Sequence, residues 1–148
     1  MKSVLYKLLV FFIVTLTSSI AIGQNFKNHK WKNRILIIQT TDTSSNKYKN
    51  QINEFKGLKN ELKDRKLVIY KIVNDRYLLT DYKNNEVSKK WKTLEKLNKK
   101  IGKKETFKVI LIGLDGRKKL KKTTVITKED LFTIIDAMPM RQSELFND

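Results

Sequence analysis

The stretch Thr40-Thr41-Asp42-Thr43-Ser44-Ser45-Asn46 gathers five hydroxyl side chains and one carboxylate at the end of an apolar run. Such a loop suits anion binding, because backbone N–H groups at a following helix start point outward and Thr43, Ser44 or Ser45 could assist them. In a catalytic variant of this idea, Asp42 would act as base and Ser44 or Ser45 would contact the ligand. The plainer role for the same residues is a turn and a helix cap. Asp75, Asp81 and Asp115 fall into no metal-ligand spacing, and no GxxxxGK[ST] element offers a nucleotide-phosphate loop. The chain has no Cys, which removes thiolate metal sites, Cys nucleophiles and CxxC exchange. Its single His, His29, excludes HExxH sites and leaves one candidate for a nucleophile–His triad. Set in a Lys- and Asn-rich lead, His29 is expected to be exposed. No metal and no cofactor is expected.

Charge is the other conspicuous feature. The 148 residues carry a formal +17. Lys89, Lys90, Lys92, Lys96, Lys99, Lys100, Lys103 and Lys104 crowd one stretch, and Arg117, Lys118, Lys119, Lys121 and Lys122 another. If both stretches shared a face, Lys89, Lys90, Lys92, Lys96, Lys118 and Lys121 would draw in phosphate-rich or other anionic partners at low salt. Lysine nevertheless supplies most of the charge, and Asn is abundant too, as an AT-biased genome produces without selection for binding. Sequence-reading proteins use Arg forks and exposed aromatics. Trp91 instead falls on an apolar stripe, which predicts a core position. An anionic envelope component or an acidic protein is therefore the expected partner, and nucleic acid is disfavoured.

The elements that must position these residues follow from hydropathy. Arg34 to Gln39 is a β-branched apolar run, the pattern of a strand buried on both faces. Tyr48, Ile52, Phe55, Leu58 and Leu62 recur at helical spacing. Leu67 to Val73 reads as a second strand, and Asn74 to Asn85 as a loop. Val87, Trp91, Leu94, Leu97 and Ile101 predict a second amphipathic helix. Phe107 to Gly113 is a third strand, turned by Asp115-Gly116 into an edge strand, Arg117 to Lys122, whose lysines discourage aggregation. Thr127 should cap a last helix through Leu131, Ile134, Ile135 and Met138, stopped by Pro139. Beyond it, Asp136 to Arg141 offers two readings. One is a recognition surface with Arg141 paired to Asp136 or Glu144. The other, plainer one is a helix stop with Met138 and Met140 packed on the sheet.

Export is expected. Met1, Lys2 and Lys7 precede the apolar run Leu8 to Val14, and Ala21-Ile22-Gly23 supplies small residues for cleavage before Gln24. The run is shorter than the ~20 apolar residues of a membrane span. With Gln24 rather than Cys after the cut, a lipoprotein is excluded. Residues 1–23 thus read as a cleavable signal peptide and 24–148 as one domain, periplasmic or secreted, with no transmembrane segment after cleavage.

The order strand–helix–strand–helix–hairpin–helix (βαβαββα) resembles a thioredoxin-like α/β fold, a four-stranded mixed sheet flanked by helices. Val109-Ile110-Leu111-Ile112-Gly113-Leu114-Asp115-Gly116, Lys119-Leu120, Leu131-Phe132 and Ile135-Asp136-Ala137-Met138-Pro139-Met140-Arg141 are more specific. With Trp31-Lys32-Asn33-Arg34, they resemble the bacterial domain-of-unknown-function family 4174. The resemblance implies an exported thioredoxin-like domain and carries over no catalytic residue. Thioredoxin-like enzymes hold their redox pair just after the first strand, where this chain has Thr40 to Asn46. Hydroxyls cannot replace thiolates in disulfide exchange. Thr106 falls where those enzymes place a cis-proline. The expected function is a non-catalytic binding or accessory module of the cell envelope. The alternative is a small-ligand-binding protein or non-redox enzyme using Thr40, Thr41, Asp42, Thr43, Ser44, Ser45 and Thr106.

Overall fold

A computed structural model describes residues 24–83, 86–94, 101 and 105–146. The predicted signal peptide lies outside the described residues, as do Lys96 and Leu97. The central strand β1 (Arg34–Thr40) is buried at all seven positions, as its unbroken apolar run predicts. It pairs in parallel with β2 (Leu67–Val73) and antiparallel with β6 (Phe107–Ile112), Ile37 facing Tyr70 on one side and Ile110 on the other. The lysine-rich β7 (Lys118–Lys122) lies antiparallel to β6 and forms one edge of the sheet.

Three expectations fail on the way from β1 to β6. The predicted helix over Tyr48–Leu62 is two helices, α2 (Asn46–Glu54) and α3 (Lys59–Asp64), following the short N-terminal α1 (Gln24–Lys27). Between them Gly57 takes φ +80°, a left-handed conformation that ends a helix at little cost only for glycine. The apolar face survives the break, since Tyr48, Phe55 and Leu62 all remain buried.

The predicted loop Asn74–Asn85 contains a strand, β3 (Arg76–Asp81), antiparallel to β2. Asn74, at φ +55°, makes the tight turn that joins them. The third failure is the predicted helix from Val87 to Ile101. Its described part holds two short strands, β4 (Glu86–Val87) and β5 (Lys92–Thr93), both paired with β3. Helical spacing gave way to the free edge of β3, whose unpaired backbone groups take up extended chain. Trp91 is consequently 40% exposed, and Val87 is exposed too, whereas Leu94 and Ile101 are buried. The sheet order is β4-β3-β2-β1-β6-β7, with β5 also on β3, so the four predicted strands form part of a larger mixed sheet.

Each face of the sheet carries its own core. Leu36, Ile38, Ile69, Val109 and Leu111 meet Tyr48, Phe55, Leu62, Leu131 and Ile135 from the helices. Ile35, Ile37, Tyr70, Ile72 and Ile110 meet Phe26, Tyr77, Leu79, Leu94 and Ile101 on the other side. The alternation along β1 divides the two sets. On the second face the ring of Phe26 stands edge-on to Tyr70, centroids 4.9 Å apart. His29 is buried there rather than exposed. Its Nδ1 accepts from Asn33 Nδ2 at 3.0 Å, and its Nε2 lies 2.8 Å from Tyr70 Oη. The Lys/Asn neighbours concealed a histidine whose two ring nitrogens both have partners inside the core.

Thr127 caps α4 (Lys128–Asp136), accepting from Asp130 N at 3.2 Å. Pro139 does more than stop this helix. It opens another, α5 (Pro139–Phe146), at the first helical position, where its missing N–H costs nothing. Met138 packs against the core, but Met140 is exposed, so only one of the two methionines sits as expected. No helix among the described residues is long and apolar enough to cross a membrane.

Candidate functional site

Each end of β1 carries a cluster of polar side chains, and the two are built differently. At the carboxyl end lies the hydroxyl-rich loop, which closes on itself. Asp42 Oδ1 accepts from Ser44 N at 2.8 Å and from Ser44 Oγ at 2.7 Å. These two bonds hold the Asp42 carboxyl below its ordinary range. Ser45 Oγ donates to Asp42 O at 3.0 Å and accepts from Tyr48 N at 3.4 Å, capping α2. Thr40 Oγ1 accepts from Asp42 N and lies 3.0 Å from Thr106 O, which also accepts from Thr41 N at 3.1 Å. Thr106 thus meets the loop through its carbonyl. Thr43 is exposed at the turn. Asp42 Oδ1 and the Ser44 and Ser45 hydroxyls are bonded within the turn and cap.

The amino end of β1 holds a different arrangement. Arg34, the first residue of the strand, is fully buried. Its Nη1 donates to Arg65 O at 2.9 Å and to Glu144 Oε2 at 3.1 Å. Glu144 also pairs with Lys66 at 3.2 Å and Arg141 at 3.4 Å. Arg141, 2% exposed, pairs further with Asp64 and with Asp136 at 3.3 Å, and Arg65 binds Asp136 at 2.6 Å. Of the two expected partners, Arg141 therefore has both, in a network built around the buried Arg34 and Arg141 whose outer members, Asp64 and Lys66, reach solvent. Burial alone would raise the Glu144 carboxyl, but Arg34 and Lys66 outweigh it and hold the group below its usual range. Burial opposes the charge on Arg141, and Asp64 with Asp136 more than restores it.

Four cations in this network share three carboxylates. Arg34 Nε and Nη2 and Arg65 Nε are buried without a hydrogen-bond partner among the described residues. Arg34 lines a cleft of about 410 Å³ between the sheet and the α4–α5 junction. Leu114, Ile134, Ala137, Met138, Pro139 and Met140 give it apolar walls, and Asp115 and Lys119 form its polar rim. Burial would raise the Asp115 carboxyl, but Lys119 at 2.8 Å and the N–H of Arg117 at 3.0 Å hold it low. Gly113 permits this arrangement. A Cβ there would stand 2.6 Å from Lys119 Cε. Sequence reasoning missed Arg34 as a site residue, although a lone charge heading an otherwise apolar strand was in view.

The remaining predicted residues do not converge. Lys89, Lys90 and Lys92 lie around β4 and β5, while Lys118 and Lys121 are on β7, at the opposite edge of the sheet. These five residues therefore do not share a face, because the described part of the predicted helix holds strands on β3 instead. Lys121 is paired with Glu105. Asp81 is buried with Oδ1 accepting from Lys83 N at 3.1 Å, and the carbonyl of Asp75 accepts from Leu94 N. Among the described residues no three His, Asp or Glu side chains converge as a metal site.

No curated protein and no solved structure matches the chain. A family model does, over residues 25–144, spanning both ends of β1 and the whole charged network, and the chain belongs to that family, described as a domain of unknown function (DUF4174).

Proposed function

We propose that this chain is an exported, thioredoxin-like binding or accessory module of the cell envelope that does no thiol chemistry. Support for the thioredoxin-like core comes from the order β2-β1-β6-β7, with β1 and β2 parallel and β6 and β7 antiparallel to their neighbours. β3, β4 and β5 extend that core on one side. The observation that carries the binding reading is the contrast at Arg34. An arginine with two unpartnered nitrogens lines an apolar cleft, whereas the loop in the redox position has bonded its Asp42 and Ser45 groups to itself. A buried unsatisfied guanidinium costs free energy that an anionic ligand offsets. Lys89, Lys90 and Lys92 on one edge and Lys118 on the other add long-range, salt-screened attraction to an anionic envelope surface.

The test is a thermal-shift screen of small anions, neutral compounds and cations against the secreted protein, whose mass should begin at Gln24. Ligands stabilise by an amount set by concentration over dissociation constant. Anionic hits that keep their shift in Asp42→Ala and Ser44→Ala support the reading. Hits abolished by these changes, or turnover of a hit, favour the loop-based ligand protein or enzyme instead.

A further inference from the structure

We propose that a second cavity, between the α2–α3 turn and the β2–β3 pair, takes a small apolar aldehyde, which the Lys71 amine holds as a reversible imine. The proposal is independent of the cleft at Arg34 and adds covalent capture to the binding role.

Strand alternation places the lysine. Ile69 belongs to the core on the helix-covered face of the sheet, and Lys71, two residues on, shares that face. There it lines a cavity of about 160 Å³ whose apolar walls include Ile38, Ile52, Phe55 and Ile69. An apolar cavity of this size holds a molecule about as large as benzene. Lys56 and Tyr82 are the other titratable groups on its wall, and no Asp or Glu is among the described residues that line it. The Lys71 ammonium makes no hydrogen bond or ion pair among the described residues. Burial with nothing to offset it holds this group below the ordinary lysine range. It stays within reach, because Lys71 is half-buried and its Nζ is not one of the fully covered polar atoms that include Arg34 Nε and Nη2.

A desolvated lysine, unlike an arginine, gives up its proton and exposes a nucleophilic lone pair. That pair adds to the carbonyl carbon of the aldehyde, and one nitrogen proton passes to the carbonyl oxygen. The oxygen then leaves as water with the second nitrogen proton, and a C=N bond remains. Neither oxidant nor reductant is consumed, and water reverses the step. A carboxylate ligand would need the ammonium form that burial opposes, whereas an aldehyde uses the neutral form that burial favours. The apolar walls accept an alkyl chain and give a charged body no partner.

Butanal and glyoxylate are the probes, with cyanoborohydride to fix the imine as a stable secondary amine and peptide mass mapping of the whole chain as the readout. Lys56, exposed on the rim of the same cavity, is the internal reference. At neutral pH butanal should label Lys71 about tenfold or more faster than Lys56, a gain of the size expected from burying its alkyl chain. Glyoxylate, which has no apolar body, should show no preference for Lys71, and denaturing urea should abolish the preference of butanal. Ile52→Phe fills the cavity from a half-buried wall position. It should bring Lys71 down to the rate of Lys56 while leaving the melting temperature close to that of the unaltered chain. Equal labelling of the two lysines by butanal overturns the proposal, as does a preference that survives urea or is as strong for glyoxylate. A normally melting Ile52→Phe chain that still labels Lys71 preferentially overturns it too. If that variant fails to fold, the urea and glyoxylate comparisons on the unaltered chain decide.

Discussion

The two ends of β1 spend their polar groups in opposite ways. At the Thr40 end, Asp42, Ser44, Ser45 and the Thr106 carbonyl are neighbours in the loop or across one strand pair, and they satisfy one another at the surface. At the Arg34 end, four cations and three carboxylates drawn from β1, the end of α3, α4 and α5 are packed together with Arg34 and Arg141 almost without solvent contact. A locally bonded turn is cheap to build. A buried network with surplus charge is expensive, and it leaves Arg34 Nε and Nη2 without partners among the described residues.

The largest contrast should appear on cutting each network. Arg141→Met leaves Asp64, Asp136 and Glu144 without their shared cation, and should cost about 3–5 kcal/mol in denaturant unfolding, the size found when one partner of a buried ion pair is removed. A loss below about 1 kcal/mol would mean the network is solvated and the contrast is false.

Acid should separate the ends next. The Glu144 carboxyl lies below its ordinary 4.5 in the folded chain, so it contributes stability above that pH, lost as pH falls through the folded value. Glu144→Gln should therefore flatten the acid limb of stability below about pH 4.5. Asp42 is also lowered but fully exposed, and Asp42→Asn should leave the limb nearly as steep as wild type. Equal flattening by both variants would erase the distinction.

The smallest effect belongs to the loop. Ser45→Ala removes the α2 cap and should cost about 1 kcal/mol by thermal unfolding, with ligand binding unchanged. A loss of binding with Ser45→Ala would move the site to the loop.

The same contrast explains what the sequence made legible. The Thr40–Ser45 turn, the Thr127 cap and the Asp115-Gly116 turn are local, written in consecutive residues, and each forms where expected. So do β1, β2, β6 and β7, whose apolar runs carry their own length. The charged network is not local. Arg34 meets Glu144 across 110 positions and Arg65 meets Asp136 across 71, so no spacing rule could join them. Only Arg141 with Asp136 and Glu144, neighbours along α4 and α5, was within reach. The missed strands teach a related lesson. Val87, Trp91 and Leu94 have helical spacing, yet β4 and β5 are extended because β3 offers an open edge, and β3 was itself hidden behind an Asn74 turn read as loop. Tyr77 and Leu79, alternating on one face, were the available sign of it.

Amide-resolved chemical-shift mapping of the folded chain titrated with an anionic hit of the thermal-shift screen weighs one end of β1 against the other in a single experiment. Saturable shifts confined to Gly113–Asp115 and Ala137–Arg141, with Thr41 to Asn46 silent, are the result predicted here. Shifts centred on Thr41 to Asn46, with the α4–α5 junction silent, would contradict it.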